Sequence, residues 1–251
     1  MPPPTLQSSP SLSLTPEPLT RDSFAPFGTA IIPPLPRTVT SAPNPLSSHP
    51  KHPLVPKPVA ANQLSALKYS PISPLLNNYP GKCPSGQASE ARMTMFSCFP
   101  RRLRSEATGT PSGGKETAIF DVKILERHPY TTQTFSPLAL SPDEATFYLV
   151  IVAPTLTGQT ATAKTDSGEE VTIRDPPDLS RIKVFKAAGD QAVTYGAGTW
   201  HAPMVVVGSR KVDFVVVQFV NGVGDEDCQE VRFPEGLVVE VGEKQGVKSR
   251  L

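Results

Sequence analysis

The sequence predicts an all-β fold, an antiparallel sandwich or small barrel with long loops and few short helices. Three observations carry this. Short β-branched or alternating apolar runs recur along the chain, clusters of Gly, Pro, Asp and Asn separate them, and no stretch of ten residues keeps an apolar stripe at i, i+3, i+4 and i+7. Strand-length runs divided by tight turns are the signature of antiparallel sheets.

Taken in order, residues 1–14 read as a flexible tail, with neither the basic start nor the apolar core of a signal peptide. One domain then spans 15–240. Its first third is thin in regular structure, because 20 of the 30 prolines precede residue 85. Within it, Phe24 to Ile32 of "SFAPFGTAII" is apolar enough to enter a core as a strand. Segment 33–58 has too few large apolar residues to fold alone and reads as a surface insertion, leaving His49 and His52 in water. From Ala91, "ARMTMFSCFPRRL" alternates as a half-buried strand does, and "FDVKILERHP", "TQTFSPLAL", "TFYLVIVAP", "RIKVFKAAG", "AVTYGAG", "APMVVVG" and "VDFVVVQFV" continue the series. The polar stretches 104–117 and 155–178 read as loop insertions, and 241–251 as a charged tail after one last short strand.

Composition narrows the partners. With 24 Lys+Arg against 23 Asp+Glu the net charge is +1, so neither nucleic acid nor a membrane surface is expected, and small molecules or proteins are. Three cysteines without CxxC spacing argue against a disulfide framework or structural zinc and for a reducing, cytoplasmic setting. No apolar run approaches the roughly 20 residues of a membrane span. GxSxG, GxGxxG and P-loop patterns are missing, which argues against a serine nucleophile and nucleotide phosphate binding.

Chemistry-bearing residues gather at three places. In "LERHPYTTQTF", Glu126, Arg127 and His128 meet Pro129, which bends the strand's end toward either a cavity mouth or water; Gln133 follows. In "YGAGTWHAPM", Tyr195 precedes a glycine turn and the lone Trp200 adjoins His201, so this stretch is a packed corner, a metal ligand or an acid/base group. In "VDFVVVQFV", alternation puts Asp213 and Gln218 on opposite faces, so only one looks inward. Arg92 is the remaining cation for an anionic ligand.

The series "FAPFGTAI", "LERHPYTTQTFSPL", "FYLVIVAP", "VTYGAGTWHAPM" and "VDFVVVQF", in that order from about Leu19 to Phe233, resembles the ureidoglycolate lyase family of allantoin catabolism. The resemblance implies a cupin-like double-stranded β-helix, a homodimer, and conversion of (S)-ureidoglycolate to glyoxylate and urea without a cofactor. The alternatives are a divalent metal held by His128 and His201 in a hydrolase releasing ammonia, or a non-catalytic barrel that binds a small carboxylate. "ANQLSALKY" resembles that family's N-terminal polar segment and adds Asn62, Lys68 and Tyr69, although Leu64 and Ser65 stand where a glycine turn is expected. The family often has a second histidine where Ala202 stands here, which would leave His201 alone. On this reading His128 and His201 carry the proton transfers, Arg127 or Arg92 clamps the carboxylate, Gln133, Tyr195 and Gln218 orient the ureido group, and Trp200 lines the site.

Overall fold

The structure is a computed structural model that describes residues 2–6, 11–43, 51–108, 115–234 and 236–243; His49 lies outside them. Its first half contains β1 (Thr5–Leu6), β2 (Leu12–Leu14), β3 (Glu17–Pro18), the one-turn helix α1 (Arg21–Phe24), β4 (Gly28–Ile31), β5 (Val59–Ala61), β6 (Ala66–Lys68), β7 (Glu90–Cys98), β8 (Arg104–Thr108) and β9 (Lys115–Asp121). The second half contains β10 (Ile124–Arg127), β11 (Gln133–Leu138), β12 (Phe147–Ala153), β13 (Thr160–Lys164), β14 (Glu170–Arg174) and β15 (Lys183–Ala187). It ends with β16 (Ala192–Tyr195), β17 (Trp200–His201), β18 (Val205–Val207), β19 (Val212–Val220), α2 (Gly224–Asp227), β20 (Gln229–Arg232) and β21 (Leu237–Glu243). Among the described residues no helix is long and apolar enough to cross a membrane.

The apolar run of β12 organises the layers. A strand with no polar face fits only where both of its faces are covered, and β12 has this placement. Tyr148, Val150 and Val152 enter one core with Phe24, Phe135, Val193 and Phe214. Leu149, Ile151 and Ala153 enter a second core with Leu125, Val184, Trp200 and Val239. The first core lies between the ten-stranded sheet, ordered β14-β13-β1-β20-β10-β17-β12-β15-β3 with β18 also on β12, and the five-stranded sheet β4-β16-β11-β19-β7. The second lies between the other face of the ten-stranded sheet and the four-stranded sheet β2-β21-β9-β8. The all-β, cupin-like expectation holds in an open form: no pairing among the described residues closes a barrel.

Several local expectations are corrected. The supposed tail 1–14 contributes β1 and β2, since Leu6 is buried in the second core and Leu12 and Leu14 pack against it. Of the stretch expected to be one strand from Phe24 to Ile32 only Gly28–Ile31 is strand, since Phe24 ends α1, which Thr20 caps by accepting a 3.1 Å hydrogen bond from the Ser23 N–H. Both polar insertions fold as hairpins, β8–β9 and β13–β14, because their small residues still alternate: Ala163 is buried in the second core, and Ala161, Val171 and Ile173 pack on it. The last strand, β21, runs on to Glu243, so it takes in the start of the supposed tail 241–251.

Where a glycine turn was expected between β5 and β6, Asn62, Gln63 and Leu64 all adopt left-handed φ, at 48°, 57° and 72°. A left-handed turn costs an L-residue about 1–2 kcal/mol per position. Leu64 is 71% exposed and has little packing to lose. Leu64→Gly should therefore stabilise the fold by about 0.5–1 kcal/mol, net of glycine's greater chain entropy, and thermal unfolding should show a higher midpoint.

Candidate active site

The site follows from alternation on two adjoining strands. Glu126 of β10 pairs in register with His201 of β17, and His201 pairs in turn with Val152 of β12. Cross-strand partners share a face and residues two apart share a face, so Glu126, His128 and His201 all turn toward the first core and the five-stranded sheet opposite. From that sheet come Tyr195 of β16 and Gln133 of β11, which are register partners, and Gln218 of β19, whose Oε1 accepts from Gln133 Nε2 at 2.5 Å. Arg92 of β7 is the register partner of Gln218 and extends the same row to the sheet edge.

A glycine turn fixes both histidines. Gly198, at φ +81°, donates its N–H to the His128 carbonyl at 2.8 Å, while the Gly196 N–H is held by the Phe27 carbonyl at 2.9 Å. His201 Nδ1 lies 3.0 Å from the Thr199 carbonyl of the same turn, and Tyr195 stacks on the His201 ring at 3.9 Å and 12°. His128 Nδ1 lies 2.6 Å from the Asp227 carbonyl. Because a carbonyl only accepts, each Nδ1 carries a proton.

The two Nε2 atoms then differ. His201 Nε2 faces two oxygens, Gln133 Oε1 at 3.2 Å and Glu126 Oε1 at 3.4 Å, and is placed as a donor toward them. His128 Nε2 is the one buried side-chain nitrogen or oxygen among the described residues without a hydrogen-bond partner, and it presents a bare lone pair. Burial and the neighbouring His201 charge hold the His128 pKa below the ordinary histidine value. Burial pushes the Glu126 carboxyl upward, but hydrogen bonding to His201 and the charges of His201 and His128 outweigh it, and the net shift is downward. Burial drives the Tyr195 hydroxyl well above its usual range, so the phenol stays neutral.

Glu126, His128 and His201 also fit a divalent cation. Their ligand atoms lie within 4.8 Å of one another, and two imidazoles with one carboxylate suit a transition metal, the orphaned His128 Nε2 being the natural first ligand.

The structure brings together five of the residues singled out from the sequence: His128, His201, Gln133, Tyr195 and Gln218. Arg92 sits at the margin, half-exposed and paired to Glu90. Arg127 and Trp200 do not join them, because adjacent residues on a strand point oppositely. The Arg127 guanidinium lies on the second-core side, 5.0 Å from the Trp200 ring, and donates to Gln229 Oε1 at 2.8 Å and to the Arg174 carbonyl at 3.1 Å. Trp200 is fully buried there and donates Nε1–H to the Asp175 carbonyl at 3.0 Å. Ala202 is buried in that second core too, so a histidine in its place would face away from His201. Asn62, Lys68 and Tyr69 belong to the β5–β6 excursion; Tyr69 lines a groove with Ile31, Ile32 and Ser136, and the chain beyond is bonded to the outer side of the five-stranded sheet through Ser73 and Thr194. His52 lies 3.4 Å from Asp22, remote from the pair. Glu126, named with Arg127 and His128 in the charged triplet but given no role there, joins the site, because its i, i+2 spacing from His128 places the two on one face.

An open, cupin-like β-sandwich that carries two imidazoles, a carboxylate and flanking amides on one inner face has the residue types of an enzyme site for a small polar substrate. The chain is a member of the ureidoglycolate lyase family, whose model matches residues 11–240. It is 35% identical over 173 residues to the ureidoglycolate lyase of Schizosaccharomyces pombe, covering 69% of this chain and 76% of that protein. With the ureidoglycolate lyase of Saccharomyces cerevisiae it shares 34% identity over 183 residues, covering 71% and 80%. A Burkholderia mallei ureidoglycolate lyase is 34% identical over 125 residues, or 50% of this chain and 58% of that protein.

A histidine buried as the neutral ring titrates at lower pH in the folded than in the unfolded chain. As pH falls below about 6.5 the unfolded state takes up its proton first, so stability drops until the depressed folded pKa is reached. In metal-free protein, the thermal midpoint should fall more steeply between about pH 7 and pH 5 for the wild type than for His128→Gln.

Proposed function

We propose that this chain is a lyase that splits ureidoglycolate into glyoxylate and urea by acid/base elimination. The observation that carries the reading is the asymmetry of the two buried histidines, one a lone pair and the other a proton donor, on one face. His128 Nε2 takes the proton from the substrate hydroxyl. The C–N bond breaks with its electron pair going to the ureido nitrogen, His201 Nε2 supplies that nitrogen's proton, and the oxygen left behind becomes the carbonyl of glyoxylate. Glu126 holds the imidazolium of His201 before transfer, and the Tyr195 ring face supports the same cation. Gln133 and Gln218 offer amide groups to the ureido end, and Arg92, at the open end of their row, is placed to take the carboxylate by exchanging its Glu90 partner. The depressed His128 pKa keeps the base unprotonated at neutral pH.

A second reading of the same site has a divalent cation held by Glu126, His128 and His201, supported by the convergence of their ligand atoms and by the unpartnered His128 Nε2. Such an ion would supply Lewis-acid polarisation of a substrate oxygen.

His128→Ala and His201→Ala should each lower kcat/KM for ureidoglycolate by about 100- to 10,000-fold. Urea and ammonia are to be quantified separately, with and without chelator. Urea release that survives chelation supports the metal-free elimination, and urea lost with bound metal supports the second reading. Ammonia in place of urea, or near-wild-type turnover in both alanine variants, rules the lyase assignment out.

We further infer a homodimer joined along β7. This nine-residue strand ends the five-stranded sheet and exposes Met93 (72%) and Met95 (61%), with Phe99 (67%) just beyond its end, whereas edge strands left open to solvent are normally guarded by charge. Met95→Lys should shift the sedimentation of the protein from dimer to monomer, and a wild-type monomer would contradict the assignment.

A further inference from the structure

The structure assigns Asp227 and Tyr79 as positioning residues that aim His128: the Asp227 carboxylate, anchored by the Tyr79 hydroxyl, fixes the backbone carbonyl that sets the tautomer of the histidine. This rests on His128 being the working nitrogen of the proposed site, and it holds whether that nitrogen meets a proton or a metal ion.

His128 follows β10 immediately before Pro129, where ladder pairing stops, so the ring cannot take its orientation from the sheet. Among the described residues the ring is held at Nδ1 by a carbonyl about a hundred residues away in sequence, that of Asp227 at 2.6 Å. In free histidine either ring nitrogen can carry the proton; an acceptor at Nδ1 selects the form with the lone pair on Nε2. The selection is only as good as the placement of that carbonyl. Asp227 ends α2, a single turn too short to hold itself in place.

The turn is held by side chains. Asp227 Oδ1 accepts from the Asn221 N–H at 2.8 Å and from the Tyr79 hydroxyl at 2.6 Å, and Oδ2 accepts from the Gly222 N–H at 2.8 Å. The neighbouring Glu226, also buried, accepts from the Ser85 N–H at 2.7 Å and from Ser85 Oγ and Asn221 Nδ2, each at 2.6 Å. Two adjacent carboxylates thus close the loop 221–227 on itself and tie it to the Tyr79–Ser85 segment. Tyr79 is 1% exposed, so its hydroxyl bond to Asp227 is made out of water, where a misplaced partner is not replaced by solvent. Glu226 secures the arm through Ser85 and Asn221, whereas Asp227 places the contact atom.

The test uses the full chain, labelled with 15N-histidine and stripped of metal. Long-range 1H–15N spectra report which nitrogen of each histidine is protonated, and His128→Gln assigns the signal. The wild type should show His128 protonated on Nδ1 with a bare Nε2. In Tyr79→Phe and in Asp227→Ala, that signal should move toward a mixture of tautomers, and kcat should fall about 10- to 100-fold with KM little changed. Tyr79→Phe keeps the aromatic packing and provides the readout if Asp227→Ala fails to fold. The assignment is overturned if wild-type His128 carries its neutral proton on Nε2, or if the Nδ1–H form persists unchanged in folded Tyr79→Phe. Because the spectra need no substrate, a tautomer shift in a protein that releases no urea would refute the lyase reading and leave the positioning role standing.

Discussion

The two-sided burial of Phe147–Ala153 is the constraint on which the rest depends. Each of its side-chain rows belongs to a different core, and any strand laid beside it inherits the same division. Trp200–His201 is laid there in register, Ala153 beside Trp200 and Val152 beside His201. A one-residue slip would turn the histidine into the second core and bring the indole among the amides. Such a slip would also strand the apolar row of Phe147–Ala153 against the wrong layer, so the packing of two cores enforces the register of a two-residue strand that could not enforce its own.

Within that frame the site works by contrast. Two identical side chains acquire opposite surroundings: both rings donate from Nδ1 to a carbonyl, but one Nε2 meets a carboxylate and an amide oxygen and the other meets no hydrogen-bond partner among the described residues. Burial enlarges the difference, because each unpaired or paired charge matters more away from water. The same contrast is what a metal ion would exploit, since a cation satisfies the bare nitrogen and the surplus oxygens together.

Much of this was legible in the residues. The alternation of "VDFVVVQFV" correctly opposed Asp213 and Gln218, and the structure turns Gln218 inward. The glycine turn and the Pro-flanked histidines marked the pair. Arg127 and Trp200 were drawn in by adjacency to the histidines, yet adjacency along a strand means the opposite face; the spacing that counts, i and i+2, was that of Glu126. Strands of two or three residues carry no periodic signal of their own and form where a larger sheet receives them, Thr5–Leu6 between β13 and β20 and Leu12–Leu14 along the edge of β21. The carbonyl of Asp227 was beyond reach for a different reason: a backbone acceptor has no residue identity to betray it.

The bond from Gly198 to the His128 carbonyl joins the two histidine-bearing segments into a single mechanical part. Between His128 and Gly198 the chain makes a long excursion through the Thr160–Lys164 and Glu170–Arg174 hairpin, which lies at the far edge of the ten-stranded sheet. The Thr165–Glu169 tip of that hairpin lies away from the histidine pair, whereas its base is tied to it: the Arg174 and Asp175 carbonyls accept from Arg127 and Trp200, the chain neighbours of the two histidines. A change of length is therefore absorbed at that exposed tip, while the Gly196–Thr199 clasp and the core strands between the two histidines have no such slack.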